Sequence, residues 1–163
     1  EGYGPHGSAL LAHVLTDNRN RAVSEVRRII TRHNGRMGEA GSVGGMFDKK
    51  GVIVMDAKDQ DPDELTLTLI DIGVEDVKVD GTTLEVITAP NELFTIQQAL
   101  DKRRMAYESA NLAMLPKTLL ELAPAETVSV MNVIEELEEL DDVQEVFSNL
   151  HITDEALAQL EPA

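Results

Sequence analysis

The sequence holds neither cysteine nor tryptophan, and aromatic residues make up only 3% of its 163 positions. Without cysteine there is no disulfide framework, no thiolate nucleophile and no Cys-type zinc site. A reducing, cytoplasmic setting suits such a chain. Uninterrupted apolar stretches stay far short of the roughly 20 residues that a spanning helix needs, and the first residues lack the basic-then-apolar layout of a secretory leader. No membrane partner is expected. Positive charge is scarce as well: the formal net charge is −16, which taken as an average opposes phosphate binding.

The average conceals a partition. Residues 1–50 carry eight Lys or Arg against five Asp or Glu, a balance of +3, so the other 113 residues carry −19. Such asymmetry points to one functional face and a solubilising remainder. The 42% hydrophobic content is enough for real cores. The chain opens on Glu1 within a glycine-rich turn, and a preceding N-terminal domain is expected.

Spacing and punctuation predict the elements. Ala9 to Thr16 is a short apolar run that reads as a buried strand. From about Asn18 to His33, Ala22, Val23, Val26, Ile29 and Ile30 recur at helical intervals between an Asp/Asn start and an Asn34-Gly35 stop. Ser42 to Phe47 reads as a strand, residues 48–51 as a turn, and Val52 to Asp56 as a strand. Pro62 to Ile72 is helical and ends at Gly73. Two alternating segments flank Asp80-Gly81, a hairpin signal. A helix over Asn91 to Arg103 and a strand over Ala106 to Leu115 follow. The tail adds a strand over Thr118 to Leu122, a helix over Ala125 to Leu140 and a strand over Gln144 to Leu150.

From Val52 onward this order is the split βαβ arrangement, β-α-β-β-α-β. The opening and closing segments make a second set of the same order. The fold class is therefore α+β, with two ferredoxin-like units, one inserted into the other. Residues 1–50 and 117–163 form a discontinuous outer domain, and residues 51–116 form the inserted one.

Several motifs invite a chemical reading and fail it. Gly2-Tyr3-Gly4-Pro5-His6-Gly7 spells G-x-G-x-x-G, but it precedes a strand and contains Pro5, whereas a dinucleotide fingerprint follows a strand and opens a helix. Gly2, Tyr3, Gly4 and Pro5 read as a structural loop. Asp56, Asp59, Asp61 and Asp63 lack the glycine and terminal glutamate of a calcium loop. The four histidines show no metal-ligand spacing, and no serine sits in a nucleophile elbow. No catalytic residue, cofactor or metal is expected. Glu135 to Glu139 form an acidic helix face, a solubilising feature or a contact for a protein partner.

The remaining candidate is Thr16-Asp17-Asn18-Arg19-Asn20-Arg21 with the helix it opens. At about 100° per residue, Arg21, Arg28 and Arg32 fall within about 40° of one another, away from the apolar stripe. The ridge is either a solvated helix face or a nucleic-acid contact. In the second case the arginines, the Asn18 and Asn20 amides, Thr16 and the helix N-terminus hold phosphates. Aromatic stacking is not the expected mode, because only Phe47 and Phe147 lie on predicted outer strands.

Glu1-Gly2-Tyr3-Gly4-Pro5, Leu15 to Arg21, Gly41-Ser42-Val43, Met46-Phe47 and Leu140 to Gln144 together resemble the YebC/PmpR family. The resemblance runs through almost the whole chain, and the Thr-Asp-Asn-Arg-Asn-Arg run is specific to it. It implies two α+β domains, one interrupting the other, without the family's small basic N-terminal helical domain. It also implies a non-enzymatic, ribosome-associated translation factor that relieves stalling at proline-rich stretches. The family's older description implies a DNA-binding transcriptional regulator instead. A small-ligand-binding regulatory module is a third reading, since fold does not fix function. Two departures stand out: His6 where glycine is usual, and Gly45 where an aromatic residue is usual.

Overall fold

The computed structural model describes residues 1–160. Its elements are β1 (Gly2–Tyr3), β2 (Ala9–Val14), α1 (Arg19–Arg32), β3 (Arg36–Met37), β4 (Phe47–Asp56), α2 (Pro62–Ile72), β5 (Asp76–Asp80), β6 (Thr83–Thr88), α3 (Leu93–Lys102), β7 (Ser109–Pro116), α4 (Pro124–Glu138), β8 (Val143–Ser148) and α5 (Asp154–Leu160). The class is α+β, with two four-stranded antiparallel sheets, ordered β3-β1-β2-β8 and β5-β6-β4-β7. The chain divides into two compact units. One comprises residues 1–48 with the chain from Leu115 onward, and the other comprises Lys49–Met114.

The second unit follows local instructions. Its helix α2 starts at Asp61, whose carboxylate accepts from the Asp63 amide at 3.0 Å, and stops at Gly73, which takes the left-handed φ of 115° that favours glycine. Strands β5 and β6 meet in a two-residue loop closed by the Asp80–Thr83 pair. Gly81 opens that loop at φ 62°. Across β4 and β6, Ile53 faces Val86 and Met55 faces Leu84. These four are buried with Leu65, Leu69, Ile96 and Leu100 from the two helices, as period-two strands and period-3.6 helices require.

The first unit draws on distant segments. Leu10 of β2, Val26, Ile29 and Ile30 of α1, Val133 and Leu137 of α4, and Val143 of β8 share one core. Helix α1 ends with the Gly35 amide donating to the Ile30 carbonyl at 2.8 Å while Asn34 sits at φ 64°, a Schellman closure. Gly35 has no substitute: a Cβ there would lie 2.2 Å from the Tyr3 carbonyl oxygen and 2.7 Å from Ile30 Cγ2.

The structure differs from sequence expectation in several places, most of them in the first unit. Gly2 and Tyr3 are not loop but strand β1, lying between β2 and β3. Two residues are too few to show an alternation. Gly4 and Pro5 do form the following turn, with the Gly4 amide bonded to the Ser8 carbonyl at 2.9 Å. Beside β2 the sheet therefore has β1 on one side and β8 on the other, and the strand expected over residues 118–122 is absent from it. That tail segment makes one isolated bridge, Leu120 to Leu150.

Residues 42–46 are turn and 3₁₀ helix rather than strand. The amides of Gly41, Val43 and Gly44 donate to the Glu1 carboxylate at 2.7, 3.0 and 2.6 Å, and so leave the ladder. Residues 48–51 are strand rather than turn. Gly51 serves close approach, since a Cβ there would lie 2.3 Å from Thr88 Oγ1.

Candidate nucleic-acid interface

The segment from Thr16 to Arg21 is first of all a local knot. The Asn18 side chain accepts from the Arg21 amide at 3.1 Å and caps α1. Thr16 Oγ1 donates to Asp142 Oδ2 at 2.8 Å and accepts from the Asn18 amide at 3.0 Å. Arg21 Nη2 reaches the same Asp142 oxygen at 2.9 Å and Asp17 Oδ1 at 3.1 Å. The Arg21 hydrogen bond, followed by that of Thr16, holds the Asp142 carboxyl below its usual range, while Asp142 raises Arg21. Segment 16–21 thus ties the entry of α1 to the turn between α4 and β8.

The far end of the ridge is tied in the same way. Glu136 of α4 takes both the Arg32 guanidinium and His33 Nε2, the latter at 3.0 Å. The His33 and Arg32 hydrogen bonds lower the Glu136 carboxyl. Of the acidic run 135–139, Glu136 is therefore spent within the unit, while Glu135, Glu138 and Glu139 are exposed.

Thr16, Asn18, Arg21 and Arg32 are accordingly occupied by their own chain. Exposed Asn20 has no such task. Among the described residues, Arg19, Arg27 and Arg28 have no ion pair, and all three are exposed. Arg19 borders an apolar groove formed with Val14, Leu15 and Val23. Arg27 projects about 120° from Arg21, outside the ridge that alignment of Arg21, Arg28 and Arg32 defines. Acids of residues 135–142 pair with Arg21 and Arg32. Arg28 lies on that same side yet has no ion pair among the described residues, and the neighbouring side carries Asn20, Ser24, Arg27 and Thr31.

Among the described residues no group of three or more His, Cys, Asp or Glu could hold a metal ion. No described helix is long and apolar enough to cross a membrane. Helix α1 follows a strand and precedes a strand, so it lacks the adjoining helix of a helix-turn-helix.

Residues 1–150 match the family model described as the TACO1/YebC second and third domain, and the chain belongs to that family. A probable transcriptional regulatory protein of Desulfosudis oleivorans is 44% identical over 154 residues, covering 94% of this chain and 63% of that protein. A protein of the same description from Rubrobacter xylanophilus is 41% identical over 160 residues, covering 98% of this chain and 64% of its own length. The crystal structure of a conserved hypothetical protein from Aquifex aeolicus superposes with a TM-score of 0.85 at 36% identity, over 94% of this chain and 64% of that one. The chain thus spans somewhat under two thirds of these relatives.

Proposed function

We propose that this chain is the α+β part of a cytoplasmic, non-enzymatic regulator of gene expression that associates with the ribosome and relieves stalling at proline-rich sequences. The carrying observation is electrostatic. In a chain of net charge −16, the arginines Arg19, Arg27 and Arg28 stand exposed around one helix, without an ion pair among the described residues. Guanidinium groups in that state suit phosphate contacts, which position a protein on RNA without reading sequence. Arg21 and Arg32 fix the helix that presents them. A factor that orients bound tRNA ends needs no chemistry of its own, since positioning supplies rate.

Ribosome co-sedimentation of the protein and its Arg27→Ala/Arg28→Ala variant tests the reading, with readthrough of a proline-run reporter in a translation extract as the functional measure. Loss of both in the variant is expected. Unchanged sedimentation and readthrough in the variant would remove α1 from the interface. The second reading, DNA-binding transcriptional regulation, is favoured by the description of the relatives as probable transcriptional regulatory proteins. Promoter binding that depends on sequence, with no ribosome association, would select it.

A further inference from the structure

We propose that the depression between the β1–β2 turn and the α1–β3 turn seats a ribonucleotide base, a contact that extends the arginine face of α1 and rests on the RNA reading above. The depression holds about 410 Å³ and is lined by Tyr3, His6, Asn34 and Arg36 with glycines between them. That volume lies within the roughly 300–1,000 Å³ of small-ligand sites. The Arg36 guanidinium lies over the Tyr3 ring, 5.0 Å from its centroid. Arg36 is exposed and has no ion pair among the described residues. A guanidinium plane backed by an aromatic ring is a surface on which bases stack. Tyr3 escapes a sequence search for stacking groups because β1 is too short to be recognised as a strand.

His6 provides an independent observation. It adopts φ 61° and ψ 27°, a left-handed conformation that glycine adopts freely and histidine less readily. Asn34, at φ 64°, belongs to the helix closure; His6 stands at the tip of the β1–β2 turn, which the Gly4 amide closes on the Ser8 carbonyl and the Ser8 amide on the Pro5 carbonyl. Its imidazole is held by Glu126, with Nδ1 3.2 Å from Oε2. Strained residues of this kind cluster at ligand contacts. The imidazole brings a hydrogen-bonding group to a site that already has a cation and a π surface. Arg27 and Arg28 precede Asn34 by six to seven helical rises, about 10 Å along the axis. A phosphate chain held at those arginines therefore reaches the depression.

The chain has two tyrosines, so the Tyr3 ring resonances can be assigned and followed by NMR. Titration with hexa-adenylate RNA is expected to shift the Tyr3 ring protons and the His6 and Arg36 amides saturably. Arg36→Ala and His6→Gly should each weaken binding about ten-fold, the effect of losing one base contact. His6→Gly relieves backbone strain, so its loss of binding cannot be ascribed to unfolding. Adenosine monophosphate as a second probe separates the sources: shifts with the oligonucleotide alone assign the seat to a chain, and equal saturation by the monophosphate assigns it to a free nucleotide. RNA binding that shifts α1 but leaves Tyr3 and the His6→Gly affinity unchanged would overturn the seat and spare the α1 reading. Absence of any RNA binding would overturn both.

Discussion

The two units use one strand arrangement but assemble it by different routes. In the Lys49–Met114 unit, the strand beside β4 is the second arm of a two-residue hairpin, and each helix connects strands of the same short stretch. In the other unit, the strand beside β2 is the N-terminal pair Gly2–Tyr3, and the opposite neighbour, β8, lies more than a hundred residues away. Loop-closure entropy must be overcome before such non-local pairings contribute stability. The helices differ in charge to match. Helix α2 opens with Asp63 and Glu64, which favour a helix N-terminus; α1 opens with Arg19 and Arg21, which do not. In α1 the unfavourable charge at the helix start is tolerated and then neutralised at selected points by distant acids, Asp142 and Glu136.

The sharpest test of this contrast lies in two glycines. Gly35→Ala drives a Cβ into the Tyr3 carbonyl and Ile30, so the first unit should lose at least about 3 kcal/mol, the upper range of overpacking. Gly81→Ala meets no atom within 4 Å and incurs only left-handed strain, about 1 kcal/mol. Denaturant unfolding measures both. Equal losses would mean that the non-local unit is no more sterically determined than the hairpin-built one.

The next contrast lies within α1. Removing Arg27 and Arg28 together should reduce the slope of log affinity for single-stranded RNA against log salt by about 1.4, or about 0.7 for each phosphate contact. Removing Arg21 and Arg32 should leave that slope in place and lower the midpoint of thermal unfolding, because those side chains join α1 to Asp142 and Glu136. The reverse pattern would reassign the interface to the paired arginines.

How much of this was legible in sequence follows from the same contrast. The helix boundaries of α2, the Gly73 stop and the 80–83 hairpin are encoded within a few residues, and the reading of Pro62 to Ile72 agrees with the observed helix. Strand β1, by contrast, takes its meaning from β2 and β3, and residues 42–46 are bent by a carboxylate forty positions earlier. Periodicity cannot detect either. The basic face of α1 was legible as charge, but its division into bound and free arginines was not, because that depends on which side α4 approaches. Helix α5, of seven residues, carried too few repeats to be predicted.

Acid titration tests the ties directly. Asp142 and Glu136 have folded-state carboxyls lowered by their Arg21, Thr16, His33 and Arg32 partners, so the unfolded chain binds protons first as pH falls. Their stabilisation is complete above the unfolded value, about 3.9 for Asp142, and disappears as pH drops through the lowered folded values. Asp142→Asn should therefore lower stability at neutral pH and flatten its decline in acid. A parallel decline in wild type and variant would show that the tie is not felt in folding.

The smallest effect is a matched exchange of caps. Asn18 and Asp61 occupy equivalent positions, each accepting from a backbone amide in the first turn of its helix at 3.1 and 3.0 Å. Asn18→Asp keeps the acceptor and adds a negative charge where α1 has none in its first turn, so the helix-dipole interaction should stabilise the first unit by about 0.5 kcal/mol at low salt. Asp61→Asn removes a charge from a first turn that already holds two acids, and the loss should be smaller. If α1 is shaped for phosphate, the added carboxylate of Asn18→Asp should also weaken RNA affinity even as the fold gains stability. Stability and binding moving in the same direction at this position would count against a nucleic-acid role for the helix entry.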